Sequence, residues 1–349
     1  MKTYLNALQE VLSKGTTKTD RTGTGTISHF GMQQRYNLAE AFPAVTTKKL
    51  AWKSVVSELL WFIEGSGDEK RLREILYGSS QSSKTTIWTA NATASYWQDR
   101  ARFEGDLGRV YGVQWRHWRT PVEHTQEQFK DDFGNSYNRA GYVHFKEVDQ
   151  LKQLIDGLKR DPHGRRHILS AWNPGELEAM ALPPCHILAQ FYVSELTQDE
   201  INSTYMKFRS AQTDEIKKVM DVGREGRAKT LEDLATFGLP TNKLSCQMYQ
   251  RSCDMFLGVP FNIASYSLLT HLIAQVCNLA VGEFVHVLGD AHIYLNHTEQ
   301  VKEQLKREPL PAPQLWINPD IKDITKFTMD DIRLDGYTSH ASIKADMAV

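Results

Sequence analysis

A helical segment at residues 52–63 restricts the fold of this chain more than any other part of the sequence. Its apolar residues recur at helical spacing and form one broad stripe: Trp52, Val55, Val56, Leu59, Leu60 and Ile63. The stripe is too short to span a membrane, and Glu58 and Glu64 interrupt it, so it belongs in the core of a folded protein. Glu58 then places a carboxylate beside that core, which is unusual.

The composition of the 349-residue chain is that of a globular protein, with 41% hydrophobic and 24% charged residues. A formal net charge of -1 leaves no overall positive field for nucleic acid or an acidic membrane, so any anion site must be local. The segment MKTYLNALQEVL has helical spacing and lacks signal-peptide features, which predicts a cytoplasmic location. Four cysteines are too few for a disulfide framework, and no C-x-x-C pair indicates zinc.

Periodicity predicts helices and strands that are mixed along the whole chain. The predicted helices cover residues 4–12, ending at Gly15, then 52–63, 148–158 and 262–276, with one more before Arg307. The predicted strands cover residues 27–36, 167–171, 187–193, 244–248 and 283–287. Gly31 suggests a bulge or a point of close approach. We find no internal repeat and no interior linker, so we predict one domain over residues 1–349.

A polar, charged segment at about residues 195–243 separates two of the predicted strands. We interpret it as an insertion within the domain. Its pieces KFRSAQTDEIKKVM and TLEDLATF carry few large apolar residues, so we expect short surface helices or a mobile segment.

Cys185 follows two prolines and precedes His186 and a predicted strand, so its backbone is held rigidly at a strand entrance. A lone cysteine of this kind can be a buried structural residue. As a nucleophile it would need a thiolate, and therefore positive charge nearby. Arg251 and the Arg165–Arg166 pair lie at strand ends and could supply that charge or hold a phosphate, although surface salt bridges are the alternative.

The segment DRTGTGT combines Arg21 with hydroxyls and glycines in a predicted turn. This composition suits phosphate contact through backbone N–H groups and the guanidinium. The segment has neither Walker spacing nor the strand and helix that flank a dinucleotide-binding loop.

Several long motifs, taken together, resemble thymidylate synthase. They are DRTGTGT, TTKKLAWKSVVSELLWF, VYGVQWR, GRRHILSAWNP, MALPPCH, YQRSCDMFLGVPFNIASY and GDAHIYLNH. They occur in the order of that family and extend from residue 2 to the end of the chain, interrupted mainly by the insertion. The resemblance implies an α+β fold: a single domain with a bent, mixed β-sheet covered by helices, one sheet face forming the dimer interface.

The resemblance also implies a chemistry. Cys185 would add to C6 of a uracil ring, which makes C5 nucleophilic, and Glu58 and Tyr111 would move protons at O4 and C5. Asn262 would donate to O4 and accept from N3–H, a pattern that cytosine cannot satisfy. Arg251 completes the implied catalytic set.

The resemblance further implies which residues bind deoxyuridylate. They are Arg21, Arg165, Arg166, His186, Gln250, Arg251, Ser252, Asp254, Asn262, His292 and Tyr294. Arg21, Arg251 and Ser252 would hold the phosphate, and His292 and Tyr294 the sugar hydroxyl. Arg165 and Arg166 would reach across from the second subunit, so the site would be complete only in a homodimer.

The co-substrate implied is 5,10-methylenetetrahydrofolate, which would donate both the carbon and the hydride. The residues implied to bind it are Trp88, Leu182, Asp254, Gly258, Phe261, Ala348 and Val349. Trp88 would form an aromatic wall, and the C-terminal tail would close over the folate. No metal, flavin, nicotinamide or nucleic acid is expected to be required.

The sequence departs from the family pattern in places. Thr89 stands where the family usually has Asp, Arg109 where Pro is frequent, and Ala51 where many bacterial members carry His. Near the tail, Ser339 and Ala341 replace prolines, which removes rigidity from the segment that must close.

Two rival functions fit the same fold. A nucleotide hydroxymethylase would let water capture the methylene intermediate, and exclusion of water by Trp88 and the tail IKADMAV favours the synthase. A non-catalytic RNA-binding paralogue would be expected to have lost the nucleophile or the arginines, and this chain retains them.

Overall fold

A computed structural model describes residues 1–20, 22–122, 128–130, 136–138, 144–221 and 230–346. The helices in these ranges are α1 (Lys2–Lys14), α2 (Trp52–Glu64), α3 (Glu69–Tyr77), α4 (Thr89–Ala92), α5 (Ser95–Gln98), α6 (Tyr111–His117), α7 (Gln150–Arg160), α8 (Gln198–Ser210), α9 (Asp214–Asp221), α10 (Leu231–Thr236), α11 (Gly258–Val276) and α12 (Thr298–Leu305). The strands are β1 (Thr16–Lys18), β2 (Thr26–Asn37), β3 (Trp118–Val122), β4 (Gln128–Lys130), β5 (Ser136–Asn138), β6 (His144–Val148), β7 (Ile168–Ser170), β8 (His186–Glu195), β9 (Asn242–Asp254), β10 (Ala280–Tyr294), β11 (Gln314–Ile317) and β12 (Ile332–Asp335).

The main sheet has six strands in the order β1-β2-β10-β9-β8-β7. Its neighbouring strands are antiparallel except β9 and β10, which are parallel. A parallel pair needs a crossover connection, and α11 supplies it by packing on both strands. The predicted α+β class, with a mixed sheet flanked by helices in one domain, is therefore confirmed.

The two faces of the sheet differ in burial. On β9, alternate residues such as Leu244, Cys246 and Met248 are buried beneath α11, whereas Gln247 on the opposite face is exposed. Most residues of α11 are buried, as expected for a helix that is apolar around most of its circumference. The core thus lies between the sheet and the helices α2 and α11.

Most of the predicted elements are present, with shifted ends. Helix α1 ends where predicted, and the Gly15 N–H closes it by donating to the Val11 carbonyl. Helix α7 begins after Asp149, which caps the Lys152 N–H, so Val148 belongs to the preceding strand and not to the helix.

Gly31 is neither a bulge nor a close-approach point. The β2–β10 register is the same on both sides of it, and a Cβ at this position would meet no atom within 4 Å. Its φ of +81° is the reason for a glycine here, because other L-residues rarely adopt that conformation.

The insertion forms α8, α9 and α10, which join β8 to β9. A small apolar cluster holds the three helices together, separate from the main core: Leu196, Ile201, Tyr205, Met220 and Leu234. Within the described ranges, no helix is both long enough and apolar enough to cross a membrane.

Candidate active site

A cavity of about 350 Å³ opens where α2, the start of β8, the end of β9 and the start of α11 meet. Fourteen residues that the sequence predicts for the site line it: Glu58, Trp88, Tyr111, Leu182, Cys185, His186, Gln250, Ser252, Asp254, Gly258, Phe261, Asn262, His292 and Tyr294. The topology brings them together because β9 and β10 run parallel, so that Ser252 and Asp254 lie beside Asp290 and His292 at the same end.

Cys185 lies immediately before β8, and its backbone is fixed from two sides. Its N–H donates to the Tyr111 hydroxyl at 2.7 Å, and its carbonyl accepts from the Arg251 N–H at 2.8 Å. The Arg251 side chain donates Nε to the Pro184 carbonyl at 2.8 Å and Nη2 to the Pro183 carbonyl at 3.0 Å. Arg251 therefore braces the loop that carries the thiol, a role that the sequence did not reveal.

The surroundings of Cys185 do not by themselves convert its thiol to the thiolate. Burial raises its pKa above the usual value, while the charge of Arg251 and hydrogen bonds with Tyr111 and Ser252 act in the opposite direction. The sequence-based expectation that Arg251 favours the thiolate has the right sign, but desolvation outweighs it. Cys185 is still the cysteine best placed to react, because none of the other three, Cys246, Cys253 and Cys277, lines the cavity.

Glu58 extends from α2 into the cavity. Burial raises the pKa of its carboxyl to about 7, and the indole Nε1–H of Trp88, donating to Oε1 at 2.7 Å, partly opposes this. A carboxyl with a pKa near neutrality can both give and take protons at physiological pH.

Tyr111 and His186 line the cavity as a stacked pair, with ring centroids 4.1 Å apart. The φ of Tyr111 is +21°, which is uncommon for a bulky residue and indicates local strain. His186 shares a hydrogen bond between Nδ1 and the Tyr266 hydroxyl at 2.7 Å, and burial lowers its pKa to about 3. His186 is therefore a neutral side chain that helps to position Tyr111.

The polar wall of the cavity is ordered by bonds among its own residues. Gln250 Nε2 donates to Asn262 Oδ1 at 3.0 Å, which fixes the amide of Asn262. Asp254 Oδ1 accepts the backbone N–H groups of Phe256 and Leu257 at 3.0 and 3.1 Å. The ring of His292 lies edge-on to that of Tyr294.

Some predicted residues lie elsewhere. Arg251 does not line the cavity, because two of its donors are used by the proline carbonyls. Arg165 and Arg166 are exposed just before β7 and outside the cavity. Arg21, Ala348 and Val349 lie outside the described residues.

The described part of the predicted phosphate turn, Asp20 and residues 22–25, is held together by its own hydrogen bonds. The carboxylate of Asp20 accepts the N–H groups of Thr22 at 2.9 Å and Gly25 at 2.6 Å. Gly23 N–H donates to the Asp20 carbonyl, and Thr24 N–H faces the Thr22 hydroxyl. The described N–H groups of this turn thus have partners inside the turn, and the phosphate contact expected for the segment stays a prediction.

Comparison with known proteins places the chain in a family. The protein-family model described as Thymidylate synthase matches residues 2–214 and 228–349. The chain belongs to the thymidylate synthase family. The resemblance expected from the sequence is therefore confirmed.

Similar curated proteins are longer than this chain. A bifunctional dihydrofolate reductase-thymidylate synthase of Zea mays is 44% identical over 349 residues, covering 99% of this chain and 54% of that protein. Bifunctional dihydrofolate reductase-thymidylate synthase 2 of Arabidopsis thaliana is also 44% identical over 349 residues, covering 99% of this chain and 50% of that protein. The chain thus spans about half the length of these relatives.

Two departures from the thymidylate synthase pattern have structural partners. Thr89 donates its hydroxyl to the buried Glu69 at 2.6 Å, beside Arg73 and Thr86, which bind the same carboxylate. Arg109 is buried and forms an ion pair with Glu176. Thr89 therefore belongs to a polar network that includes Thr86 of the cavity wall, whereas Arg109 belongs to a network with Glu176 and Gln114.

Nine further residues line the cavity that we did not predict from the sequence. They are Ser54, Ser57, Leu72, Leu76, Tyr77, Thr85, Thr86, Ile87 and Asn91. The helical spacing of Leu72 and Leu76 on α3 could have indicated an apolar wall. The loop after α3 has no regular spacing of apolar residues, so its contribution to the cavity could not be predicted. In the described part of the chain, no group of three or more His, Cys, Asp or Glu side chains could hold a metal ion.

Proposed function

We propose that this chain is a thymidylate synthase that methylates deoxyuridylate to thymidylate, using 5,10-methylenetetrahydrofolate as the donor of carbon and hydride. One observation carries the proposal. A single cavity contains a cysteine thiol, a carboxyl with a pKa near 7, and an asparagine amide fixed by a neighbour: Cys185, Glu58 and Asn262. Membership of the family supports it.

In the proposed first step, the thiolate of Cys185 forms a bond to C6 of the uracil ring. The electron pair of the C5–C6 double bond moves toward O4, giving an enolate whose C5 is nucleophilic. Because burial raises the pKa of the thiol, the proton must be removed as the nucleophile attacks or after the nucleotide has bound. Tyr111 and Arg251 hold the cysteine in place for this attack.

Asn262 is proposed to select uracil. One lone pair of its Oδ1 is used by Gln250 Nε2, so the other can accept N3–H while Nδ2 donates to O4. Glu58 is proposed to exchange protons at O4 and C5, with Tyr111 assisting, since a group with a pKa of about 7 is effective in both directions. His186 and Gln250 keep these side chains in position.

The apolar part of the cavity fits the flat ring system of a folate. Trp88, Leu182, Gly258 and Phe261 line that part, and Asp254 offers a carboxylate at its edge. When bound, the folate supplies the one-carbon unit and the hydride. Ala348 and Val349 are proposed to close over it.

The phosphate of the nucleotide is proposed to bind Arg21, Ser252 and the N–H groups of Arg251 that do not contact the proline carbonyls. The sugar hydroxyl is proposed to bind His292 and Tyr294. Arg165 and Arg166 of a second subunit would complete the phosphate site in a homodimer. The exposed apolar side chains of Phe30, Ile168 and Tyr192 on β2, β7 and β8 support a sheet-to-sheet contact. We also propose a cytoplasmic location, and a net charge of -1 supports a reaction that does not require nucleic acid.

The test is to incubate the purified protein with deoxyuridylate and methylenetetrahydrofolate and to identify both products by mass spectrometry. We expect thymidylate and dihydrofolate, and no turnover in Cys185→Ala. Hydroxymethyl-deoxyuridylate with tetrahydrofolate would instead indicate the hydroxymethylase. Absence of both product pairs would favour a non-catalytic, RNA-binding paralogue. Turnover by Cys185→Ala would rule out the covalent mechanism.

A further inference from the structure

His286 is a fully buried residue of β10 that does not line the cavity. We propose that it is a specificity-determining residue, which fixes the amide of Gln250 and, through Gln250, the face that Asn262 presents to the base. The inference rests on the proposed function, because it concerns how the same site distinguishes uracil from cytosine.

A backbone group identifies which atom of the Gln250 amide is the nitrogen. Gln250 Nε2 lies 3.0 Å from the Ser252 carbonyl oxygen, and a carbonyl can only accept a hydrogen bond. The group that faces it must therefore be the NH₂. The second hydrogen of that NH₂ donates to Asn262 Oδ1, also at 3.0 Å. Both hydrogens of Gln250 Nε2 are thus used.

The opposite side of the Gln250 amide contacts His286. Oε1 lies 2.9 Å from His286 Nε2, and Oε1 can only accept, so Nε2 must carry the proton. Burial lowers the pKa of His286 to about 3, so the ring is neutral and has a single N–H. Nδ1 is buried and has no hydrogen-bond partner among the described residues. The neutral Nε2–H tautomer is the one that these contacts select.

The hydrogen bonds from His286 to Gln250 and from Gln250 to Asn262, here called the relay, determine which atoms of Asn262 remain available to bind the base. With Oδ1 held by Gln250, the Nδ2 hydrogens of Asn262 are free to donate to O4 of uracil. Without the His286 donor, Oε1 of Gln250 would be buried and unpaired. Only Ser252 and Asn262 would then hold the amide, and turning it would let Oε1 find another donor at the cost of the bond to the Ser252 carbonyl. Asn262 could then donate Nδ2 to Gln250 and present Oδ1 to the base, which suits the 4-amino group of cytosine.

The experiment measures the dissociation constants of deoxyuridylate and deoxycytidylate by calorimetry, together with kcat/KM for deoxyuridylate. The variants are His286→Phe, which removes the donor, and His286→Gln, whose amide can place an N–H near the position of Nε2. His271→Phe is the matched control, since burial lowers the pKa of His271 to about 4 and its Nε2 is also buried without a partner in the described ranges.

We expect His286→Phe to reduce the preference for deoxyuridylate, measured as the ratio of the deoxycytidylate to the deoxyuridylate dissociation constant, about tenfold or more. This is the scale of one buried hydrogen bond. His286→Gln should retain most of the preference, and His271→Phe all of it. Equal weakening of both nucleotides in His286→Phe would indicate a purely structural effect and overturn the proposal, as would an unchanged preference.

A second measurement uses the wild-type protein and so does not depend on folding of a variant. Nitrogen-15 NMR of labelled histidines should show His286 as a neutral Nε2–H tautomer through the neutral pH range. A neutral Nδ1–H tautomer, or a charged ring at pH 6, would overturn the relay. Absence of thymidylate formation by the wild type would count against the proposed function alone, because the tautomer is measured without substrate.

Discussion

At the scale of single residues, the pair Glu58 and Trp88 sets the pH range in which the site can work. The Trp88 N–H stabilises the ionised carboxylate, so its loss in Trp88→Phe should raise the pKa of Glu58 further above about 7. If the ionised form acts as the base, the acid limb of the kcat/KM profile should move to higher pH by roughly one pH unit, the scale of a hydrogen bond to a charged group. Initial rates measured between pH 5 and 9 test this.

Trp97→Phe provides the control for that measurement. Trp97 is equally buried and donates its indole N–H to the Asp106 carbonyl at 2.6 Å, but it does not line the cavity. Its substitution should leave the position of the acid limb unchanged. If Trp88→Phe lowers the rate by the same factor at every pH, Trp88 acts only as a wall for the folate.

The residues of the site differ in how far sequence alone could reveal them. Cys185, Asn262 and Glu58 stand in contiguous motifs or interrupt an apolar stripe, so the pattern itself exposes them. The bracing of Cys185 by Arg251 depends on which strands are neighbours, and spacing along the chain does not contain that information. The same holds for His286, whose partner Gln250 lies 36 positions away.

At the scale of secondary structure, the insertion is expected to fold as a nearly independent unit. Its helices share their own apolar cluster, and Glu195 of β8 pairs directly with Asn242 of β9 across its base. Replacing residues 196–241 by Asn-Gly would close these antiparallel strands with a two-residue hairpin turn. We expect the Tm to change by only a few degrees and thymidylate formation to stay within about twofold of wild type.

Differential scanning calorimetry and the product assay would measure both quantities. The described insertion helices contact the main body through few groups, among them the ion pair of Glu200 with Lys243, so Lys243→Ala in the full-length chain is a mild reference variant. Loss of the cooperative unfolding transition in the shortened protein, but not in Lys243→Ala, would show that the insertion is part of the main fold.

Element ends were the part of the fold that sequence predicted least well. β10 extends to Tyr294 because a central strand is buried on both faces and does not alternate as an edge strand does, so its continuation DAHIY resembles a loop. Helix α11 begins at Gly258 although Gly and Pro usually indicate a turn, since Pro260 lies in the first turn, where its missing N–H is not needed. Tertiary burial decided both ends.

At the scale of the whole molecule, the proposed phosphate site depends on which subunit supplies its remaining positive charge. Arg165 and Arg166 are exposed beside β7, an edge strand of the main sheet, and apart from the cavity in their own subunit. Exposed Ile168 and Tyr192 follow on β7 and β8. A twofold contact through this face would bring each arginine pair to the other subunit, since such an interface uses the same patch twice.

Mixed dimers would show whether the arginines serve the cavity of their own subunit or that of the second subunit. Cys185→Ala and the double variant Arg165→Ala/Arg166→Ala should each be inactive alone. Coexpressed with different tags and purified as a heterodimer, they would form one intact site, with the cysteine of one subunit and the arginines of the other. We therefore expect about half of the wild-type kcat. If the arginines serve their own subunit, every heterodimer contains one site without a thiol and one without arginines, and activity stays at the level of the single variants.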